Sequence, residues 1–303
     1  MTTVIALGGN ALMRPGERGT AAEQRANLRE TCEALRPLLD DPELVITHGN
    51  GPQVGNELGR QERAADEVPP LPLYLAVAQT QAEIGALIES ELTAVAERSV
   101  VCLLTHVCID ESDPAFQRPT KPVGPFYSEE QARQLERDRG WIVAHDAGRG
   151  WRRVVPSPKP LEVVELEAVR TLLAAGTIAI ACGGGGIPVS MGDGRLLGVD
   201  AVIDKDRASS LLAVALGADR LVILTEVDAV YRRWGTDEQE EVRELNASAF
   251  EELLPQLAAG SIGPKVEASV EFARATGRDA LITSAVALSE ALANRAGTRV
   301  TAS

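Results

Sequence analysis

Short, continuous apolar runs that end in glycine or polar turns recur along this chain, and they limit its fold more than any other feature. Within each run the residues are apolar throughout and do not alternate with polar ones. This pattern is typical of β-strands that are buried on both faces. Five such stretches occur, at Thr2–Asn10, Glu43–Gly51, Gly176–Gly186, Arg220–Asp228 and Ala280–Ser284.

Stretches with apolar residues at helical spacing lie between these runs. They read AAEQRANLRETCEALRPLL, PQVGNELGRQERAADE, LEVVELEAVRTLLAA, RASSLLAVALG and VEASVEFARATG. The alternation of strand, turn and helix predicts an α/β fold with a parallel, doubly wound sheet and helices on both sides. Right-handed crossovers then bring the carboxyl ends of the strands to one edge, where ligands bind in such folds.

One long segment, Asp110–Pro160, breaks this alternation. It is rich in proline, glycine and charge, and it follows the apolar stretch VVCLLTHVC, which we interpret as one strand. It is too long for an ordinary loop. Five aromatic residues within it favour packing over a floppy surface insertion. We therefore predict a single domain over residues 1–303, with residues 110–160 as a small inserted subdomain that covers the ligand edge, called the lid below.

Composition excludes several classes of protein. The formal net charge of −14 argues against a nucleic-acid partner. No apolar run is long enough for a membrane-spanning helix or a signal peptide, so we expect neither. Four cysteines without a C-x-x-C pair and only three histidines argue against a zinc site or a disulfide framework. These features indicate a reduced, cytoplasmic protein in which Cys182 is a small buried residue.

Glycines cluster where three of the predicted strands end. The turns read LGGNA, HGNGPQ and CGGGGIP, and we expect a helix after the first two. Glycine lets backbone N–H groups point at an anion, and a helix N-terminus adds a positive dipole end. Three such turns on one edge indicate a polyphosphate or two anionic substrates. Neither the P-loop motif nor GxGxxG after the first strand is present.

Lysine is scarce in this chain. Of 30 lysines and arginines only four are lysines, at Lys121, Lys159, Lys205 and Lys265. A lysine ammonium is a compact point charge on a flexible stem, which suits a phosphoryl group in transfer. Asp204 and Asp206 flank Lys205 and can hold ammonium groups in place. The alternative, that all four lysines are surface residues, is less favoured because arginine supplies the other 26 basic side chains.

The three histidines look peripheral. His48 ends a predicted strand, and His106 and His145 have no obvious acidic partner in the sequence. Phosphoryl transfer depends mainly on positioning and charge neutralisation. Without a general base, the acceptor is expected to be an anion already, such as a carboxylate.

These motifs together resemble the carbamate kinases of the amino acid kinase family. The resemblance rests on IALGGNAL, ITHGNGPQVGN, DPAFQRPTKPVGPFY, WRRVVPSPKP, ACGGGGIPV, GVDAVIDKDRAS, LTEVDAVY and GSIGPKVEA, and runs from Val4 to about Ser284. It implies a three-layer αβα sandwich around a mainly parallel sheet, and a homodimer. It also implies reversible phosphoryl transfer between ATP and carbamate, giving ADP and carbamoyl phosphate, with Mg²⁺ on the nucleotide. The usual direction in the family is ATP synthesis in arginine fermentation.

The resemblance also implies roles for single residues. Lys205 and Lys265 would clamp the phosphates, Asp206 would orient both lysines, and Lys121 would reach from the lid to the acceptor. Two further groups would bind substrates. The transferring phosphoryl group and the acceptor would contact Gly8, Gly9, Asn10, Gly49, Asn50 and Gly51; the nucleotide would contact Gly183, Gly184, Gly185, Gly186, Asp228 and Tyr231. No protein side chain is predicted to bind a metal directly.

The chain departs from the family pattern at His106, where we expect glutamine. Two other functions stay open from the residues alone. One is another kinase of the same family with a different carboxylate acceptor, of the acetylglutamate kinase type. The other is a non-catalytic regulator that binds nucleotide without turnover.

Overall fold

The computed structural model describes residues 1–14, 16–146, 150–257 and 262–302. Its strands are β1 Thr2–Leu7, β2 Glu43–His48, β3 Val100–Cys102, β4 His106–Ile109, β5 Lys121–Tyr127, β6 Val143–Asp146, β7 Gly150–Val155, β8 Pro160–Val163, β9 Ile178–Ile180, β10 Ile187–Gly192, β11 Arg195–Gly198, β12 Arg220–Thr225, β13 Val230–Arg232, β14 Glu240–Val242, β15 Glu244–Asn246, β16 Ala280–Ser284 and β17 Thr298–Thr301. Its α-helices are α1 Ala21–Ala34, α2 Arg36–Leu39, α3 Gly51–Ala64, α4 Leu73–Thr93, α5 Glu129–Arg139, α6 Leu166–Ala174, α7 Lys205–Leu216, α8 Phe250–Leu253, α9 Ile262–Thr276 and α10 Leu288–Leu292.

The main sheet has eight strands in the order β15-β17-β16-β12-β1-β2-β9-β3. All five predicted strands are confirmed in it, as β1, β2, β9, β12 and β16. Within this sheet the β16–β17 pair is antiparallel, and the other pairs are parallel. The carboxyl ends of β1, β2, β9 and β12 therefore meet at one edge, and the predicted glycine turns lie there.

Two apolar cores cover the two faces of this sheet. Alternate residues of β1 point to opposite sides, as a strand requires. Ile5 and Leu7 pack with residues of α1 and α4, whereas Val4 and Ala6 pack with residues of α6, α7 and α9. This arrangement confirms the three-layer αβα sandwich.

The region around the lid corrects two predictions. VVCLLTHVC forms two strands in different sheets, β3 and β4, because Leu103–Thr105 carries the chain from the main sheet to a second one. LEVVELEAV does not begin as a helix, because its first residues belong to β8, which pairs with β4. The second sheet has the order β11-β10-β4-β8, and α6 begins only at Leu166.

The lid contains its own small sheet. Strands β5, β7 and β6 form an antiparallel sheet, and α5 connects β5 to β6. Helix α5 begins at a capping box of Ser128 and Gln131 and ends at Gly140, which has a left-handed φ of 64°. Residues 147–149 of the lid lie outside the described residues, and the boundaries at 110 and 160 stay a prediction.

The first glycine turn is not followed directly by an α-helix, contrary to the prediction. A 3₁₀ turn at Gly9–Ala11 comes first, and α1 begins only at Ala21, where Thr20 and Glu23 form a capping box. The second turn does lead straight into α3. Within the described residues, no helix is long and apolar enough to cross a membrane.

Candidate active site

The start of α7 carries the central charged residues of the site. Asp204 is the N-cap, and its side chain accepts hydrogen bonds from the backbone N–H groups of Asp206 and Arg207. Such a cap satisfies N–H groups that have no partner within the helix. It fixes the first turn of α7, from which Lys205 and Asp206 project.

Asp206 lies between two ammonium groups. Its Oδ1 is 2.6 Å from Nζ of Lys205, and its Oδ2 is 3.0 Å from Nζ of Lys265, on the first turn of α9. The side chains of these residues are only 12%, 3% and 8% exposed for Lys205, Asp206 and Lys265. Burial lowers the pKa of Lys205, and the charge of Lys265 acts in the same direction, against the attraction of Asp206. Two cations thus share one anion in a nearly buried position.

Glycine turns provide the room for this cluster. A Cβ on Gly49 would lie 3.0 Å from Cδ of Lys205, so the lysine stem runs directly over this glycine. A Cβ on Gly8 would lie 2.6 Å from the backbone oxygen of Leu224, in the adjacent strand β12. At both places a larger residue would displace its neighbour, which explains glycine without any ligand.

A third charged pair connects the lid to the start of α7. Nζ of Lys121, at the start of β5, lies 2.8 Å from Oδ2 of Asp204, and these side chains are 36% and 14% exposed. Burial alone would raise the pKa of Asp204, but Lys121 and Lys205 outweigh it and lower that pKa to about 2. Asp204 is therefore ionised at neutral pH.

A cavity of about 710 Å³ brings most of the predicted residues together, and we call it the lysine cavity. Nine of them line it: Gly9, Gly49, Asn50, Gly51, Lys121, Gly184, Lys205, Asp206 and Lys265. Asn50 is held by a 2.9 Å hydrogen bond from its Nδ2 to the hydroxyl of Thr80. Gly8 and Asn10 instead line a neighbouring cavity of about 300 Å³ beside Ser284.

The residues predicted for the nucleotide are not brought together. Gly183, Gly185 and Gly186 are buried, and a Cβ on them would meet His48, Ile203 and Val107 at 2.3 Å in each case. These contacts show that the run is glycine-rich because neighbouring residues pack against its backbone. Asp228 lies past β12, which is separated from β9 by two strands, β1 and β2, and its carboxylate accepts a hydrogen bond from Ser284. The Tyr231 ring packs on Trp234, with centroids 5.1 Å apart.

The fourth lysine of the chain lies apart from the other three. Lys159 is 62% exposed and pairs with Glu271 at 2.7 Å. For this one residue the surface alternative holds, and scarcity alone did not distinguish it from the others.

The prediction that His106 lacks an acidic partner is wrong. Glu165 accepts hydrogen bonds from the backbone N–H and the ring Nδ1 of His106, both at 2.7 Å. The pair ties β4 to the start of α6, and neither residue is among those lining the lysine cavity. The departure from the family pattern at His106 is therefore outside that cavity.

Sequence reasoning missed Gln81, which holds the glycine run in place. Its Oε1 accepts from the backbone N–H of Thr105 at 2.6 Å, and its Nε2 donates to the carbonyl of Gly183 at 2.8 Å. Gln81 is fully buried on α4. The available signal was a glutamine among the apolar positions of a helix, since a buried amide needs hydrogen-bond partners. Gln53 and Thr120, which also line the cavity, gave no distinct signal.

This arrangement suits the binding of phosphate groups. Ammonium groups and the backbone of glycine turns surround one cavity, and α3 begins at its wall with Gly51. Preorganised positive groups of this kind stabilise the charge of a phosphoryl group in transfer.

Comparison with known proteins agrees with this geometry. The model of the amino acid kinase family matches residues 1–284. A carbamate kinase of Pyrococcus horikoshii is 44% identical over 98% of both chains, and one of Haemophilus influenzae is 45% identical over 99% of this chain and 97% of its own. The solved structure of carbamate kinase from Giardia lamblia bound to AMP-PNP superposes with a TM-score of 0.91, at 39% identity, over 99% of this chain and 98% of that one. The chain therefore belongs to the amino acid kinase family, within its group of carbamate kinases.

Proposed function

We propose that this chain transfers a phosphoryl group reversibly between ATP and carbamate, and that it works mainly in the direction of ATP synthesis from ADP and carbamoyl phosphate. The observation that carries the proposal is the pair of buried lysines on Asp206, in one cavity with Lys121 and two glycine turns. The nearly full-length likeness to carbamate kinases supports the choice of acceptor.

In this proposal each charged residue has one role. Lys205 and Lys265 neutralise the phosphoryl oxygens as charge shifts between donor and acceptor, and Asp206 keeps both ammonium groups at fixed positions. Lys121 binds the carbamate end of the acceptor. The backbone of Gly9, Gly49 and Gly51 contacts the phosphoryl group. Fixed charges of this kind need no rearrangement during the reaction.

The histidines support an acceptor that is already ionised. His48 is fully buried, and its Nε2 has no hydrogen-bond partner among the described residues. Burial lowers the pKa of His48 to about 4. A hydrogen bond to the Gly49 carbonyl opposes this shift, and the charge of Lys205 adds to it. It is not among the residues that line the lysine cavity. Carbamate, whose oxygen is an anion at neutral pH, needs no base to activate it.

A magnesium ion would be bound through the nucleotide. Among the described residues no group of three histidine, cysteine, aspartate or glutamate side chains could hold a metal. Both oxygens of Asp206 already accept from lysines. Mg²⁺ commonly keeps several waters and binds substrate phosphates, and there it supplies further charge neutralisation.

The biological setting belongs to the proposal as well. We propose a cytoplasmic homodimer that serves arginine metabolism. The likeness to carbamate kinases and the four free cysteines support this setting.

A coupled assay tests the proposal directly. Purified protein is supplied with ADP, Mg²⁺ and carbamoyl phosphate, and ATP formation is followed; the reverse reaction is measured with ATP and carbamate. Turnover with carbamoyl phosphate but not with acetylglutamyl phosphate would support it. Turnover with the latter alone would identify another acceptor, and nucleotide binding without turnover would indicate a regulator.

A further inference from the structure

The Asp204 carboxylate links two parts of the molecule through its two oxygens. Oδ1 accepts from the backbone N–H groups of Asp206 and Arg207, at 3.0 and 3.4 Å, and so caps α7. Oδ2 accepts from Nζ of Lys121, a residue of the lid, at 2.8 Å, and both residues line the lysine cavity. One side chain thus contacts both the helix that carries Lys205 and the lysine of the lid.

Lys121 has no other fixed partner for its ammonium group in the described parts of the chain. Its side chain is the most exposed of the three lysines in the cavity, at 36%. A free lysine side chain samples many rotamers, and ordering it costs conformational entropy. Lys205 and Lys265 do not face this cost to the same degree, because both are nearly buried on Asp206.

We propose that Asp204 is a positioning residue. It holds the ammonium group of Lys121 in the lysine cavity at a fixed place relative to the first turn of α7. This inference rests on the proposed function, in which Lys121 binds the acceptor. Lys121 then meets carbamoyl phosphate with its ammonium already near the binding position. Such preorganisation lowers the entropic cost of binding and of transfer.

Electrostatics agrees with this role. The pKa of Asp204 lies at about 2, because Lys121 and Lys205 outweigh the effect of burial. The carboxylate therefore attracts Lys121 at any pH near neutrality. The competing interpretation is that Asp204 acts only as a helix cap.

The substitution Asp204→Asn separates these two roles. Asparagine caps helices as well as aspartate does, so the hydrogen bonds from Asp206 and Arg207 can persist. Its side chain carries no charge and cannot form the ion pair with Lys121. We expect D204N to retain its thermal midpoint and its ADP affinity, measured by calorimetry. We expect its kcat/KM for carbamoyl phosphate to fall about tenfold, mainly through KM, as for loss of a preorganised binding contact.

Glu271→Gln is the matched control. It removes the acidic partner of the exposed Lys159, whose Nζ lies 2.7 Å from Oε1 of Glu271. This substitution should leave kcat and KM unchanged. The same chemical change is thus made at a lysine pair outside the cavity.

A double-mutant cycle with Lys121→Ala decides the proposal. If Asp204 acts through Lys121, then D204N adds little further loss in the K121A background. Equal losses in both backgrounds, or a D204N enzyme with wild-type kcat/KM, would overturn the proposal. If K121A itself keeps wild-type kinetics, the assigned role of Lys121 fails and the proposal for Asp204 fails with it, whereas a K121A loss that D204N does not share overturns the proposal for Asp204 alone.

Discussion

The main sheet and the lid differ in the kind of side-chain packing that holds each together. In the sheet, β1 is buried along its whole length and packs aliphatic side chains on both faces. The lid contains half of the ten aromatic residues of the chain and stacks arginines on them. The Arg133 guanidinium lies 4.6 Å from the ring centroid of Trp151, and that of Arg153 lies 4.7 Å from that of Trp141.

The difference divides the lysine cavity into two halves. Lys205 and Lys265 project from helices packed on the sheet and share a buried carboxylate. Lys121 comes from the lid, is more exposed and meets the sheet side through Asp204. The comparison suggests a rigid half that neutralises phosphate and a more adaptable half that receives the acceptor. The predictions below test this division, beginning with the largest expected effect.

The substitution Lys205→Arg should cause the largest loss. The lysine stem lies on Gly49 and its ammonium on Asp206, so the longer, planar guanidinium cannot occupy the same place. We expect turnover to fall at least ~100-fold, which is about 2.7 kcal/mol, with ADP affinity within a few fold of wild type. Steady-state kinetics beside calorimetry on one sample measures both.

Lys159→Arg serves as the control for that substitution, because Lys159 pairs with Glu271 on the surface. It should keep full turnover. A wild-type rate for K205R would show that the half of the cavity formed by Lys205, Lys265 and Asp206 does not require a fixed ammonium position.

His48, which is fully buried and precedes the cavity-lining Gly49, should make the free energy of unfolding depend on pH. Burial lowers the pKa of His48 from 6.5 to about 4. Between these values the unfolded chain binds a proton that the folded chain does not, so the free energy of unfolding falls as pH falls from about 6.5 towards 4. The loss from His48 should reach about 2 kcal/mol between pH 7 and pH 5.

Urea unfolding at several pH values, with wild type and His48→Gln, checks this. Whatever its absolute stability, H48Q should lose the part of the pH dependence of the free energy of unfolding that His48 causes. His145→Gln, at an exposed position of the lid, should keep that pH dependence. Identical slopes for wild type and H48Q would contradict the assignment.

A smaller effect is expected where the lid rests on α3. A Cβ on Gly55 would lie 3.2 Å from the backbone nitrogen of Gly124, whereas a Cβ on Gly59 would meet only a side-chain carbon of Pro125, at 4.0 Å. Alanine at an interior helix position gains up to ~1 kcal/mol over glycine. We expect Gly59→Ala to raise the free energy of unfolding by this amount. Gly55→Ala should show no such gain, because the new Cβ forces the backbone of β5 to move away from α3.

The kinetic readout of the same pair is the KM for carbamoyl phosphate. G55A should raise it a few fold, since the displaced strand carries Lys121, and G59A should leave it unchanged. If both variants gain stability and keep the wild-type KM, the contact of β5 with α3 does not affect the binding of carbamoyl phosphate.

The smallest expected change is in hydrogen exchange of the lid. With ADP and carbamoyl phosphate bound, amides in residues 121–146 and 150–155 should exchange more slowly, because a closed lid excludes water. Amides of β1 and β2 should change little, since both strands are already buried. Equal exchange of the lid with and without substrates would remove the idea of closure.

The sequence predicted the frame of the molecule better than its connections. Buried parallel strands leave a continuous apolar run, and this signal identified β1, β2, β9, β12 and β16. The split of VVCLLTHVC and the strand β8 depend on pairing with residues far along the chain, for which no local pattern exists. His106 and Glu165 are 59 residues apart, so their pairing could not be deduced either.

For the site, residue scarcity was informative but incomplete. It selected Lys121, Lys205 and Lys265, which line one cavity, together with Lys159, which does not. Glycine had the same ambiguity. A turn that admits an anion and a turn against which other residues pack need the same residue, and Gly185 belongs to the second kind.

The charges that line the lysine cavity have a consequence for how fast substrates arrive. Its three lysines and two aspartates give a local charge of +1, in a chain whose formal net charge is −14. A dianion approaching from bulk solution is therefore repelled by the whole molecule before it is attracted by the cavity. At about 0.15 M salt the Debye length is about 8 Å, so the distant repulsion is screened while contacts inside the cavity persist. Capture of carbamoyl phosphate should then accelerate when salt is first added, which is opposite to the behaviour of an anion site on a basic protein.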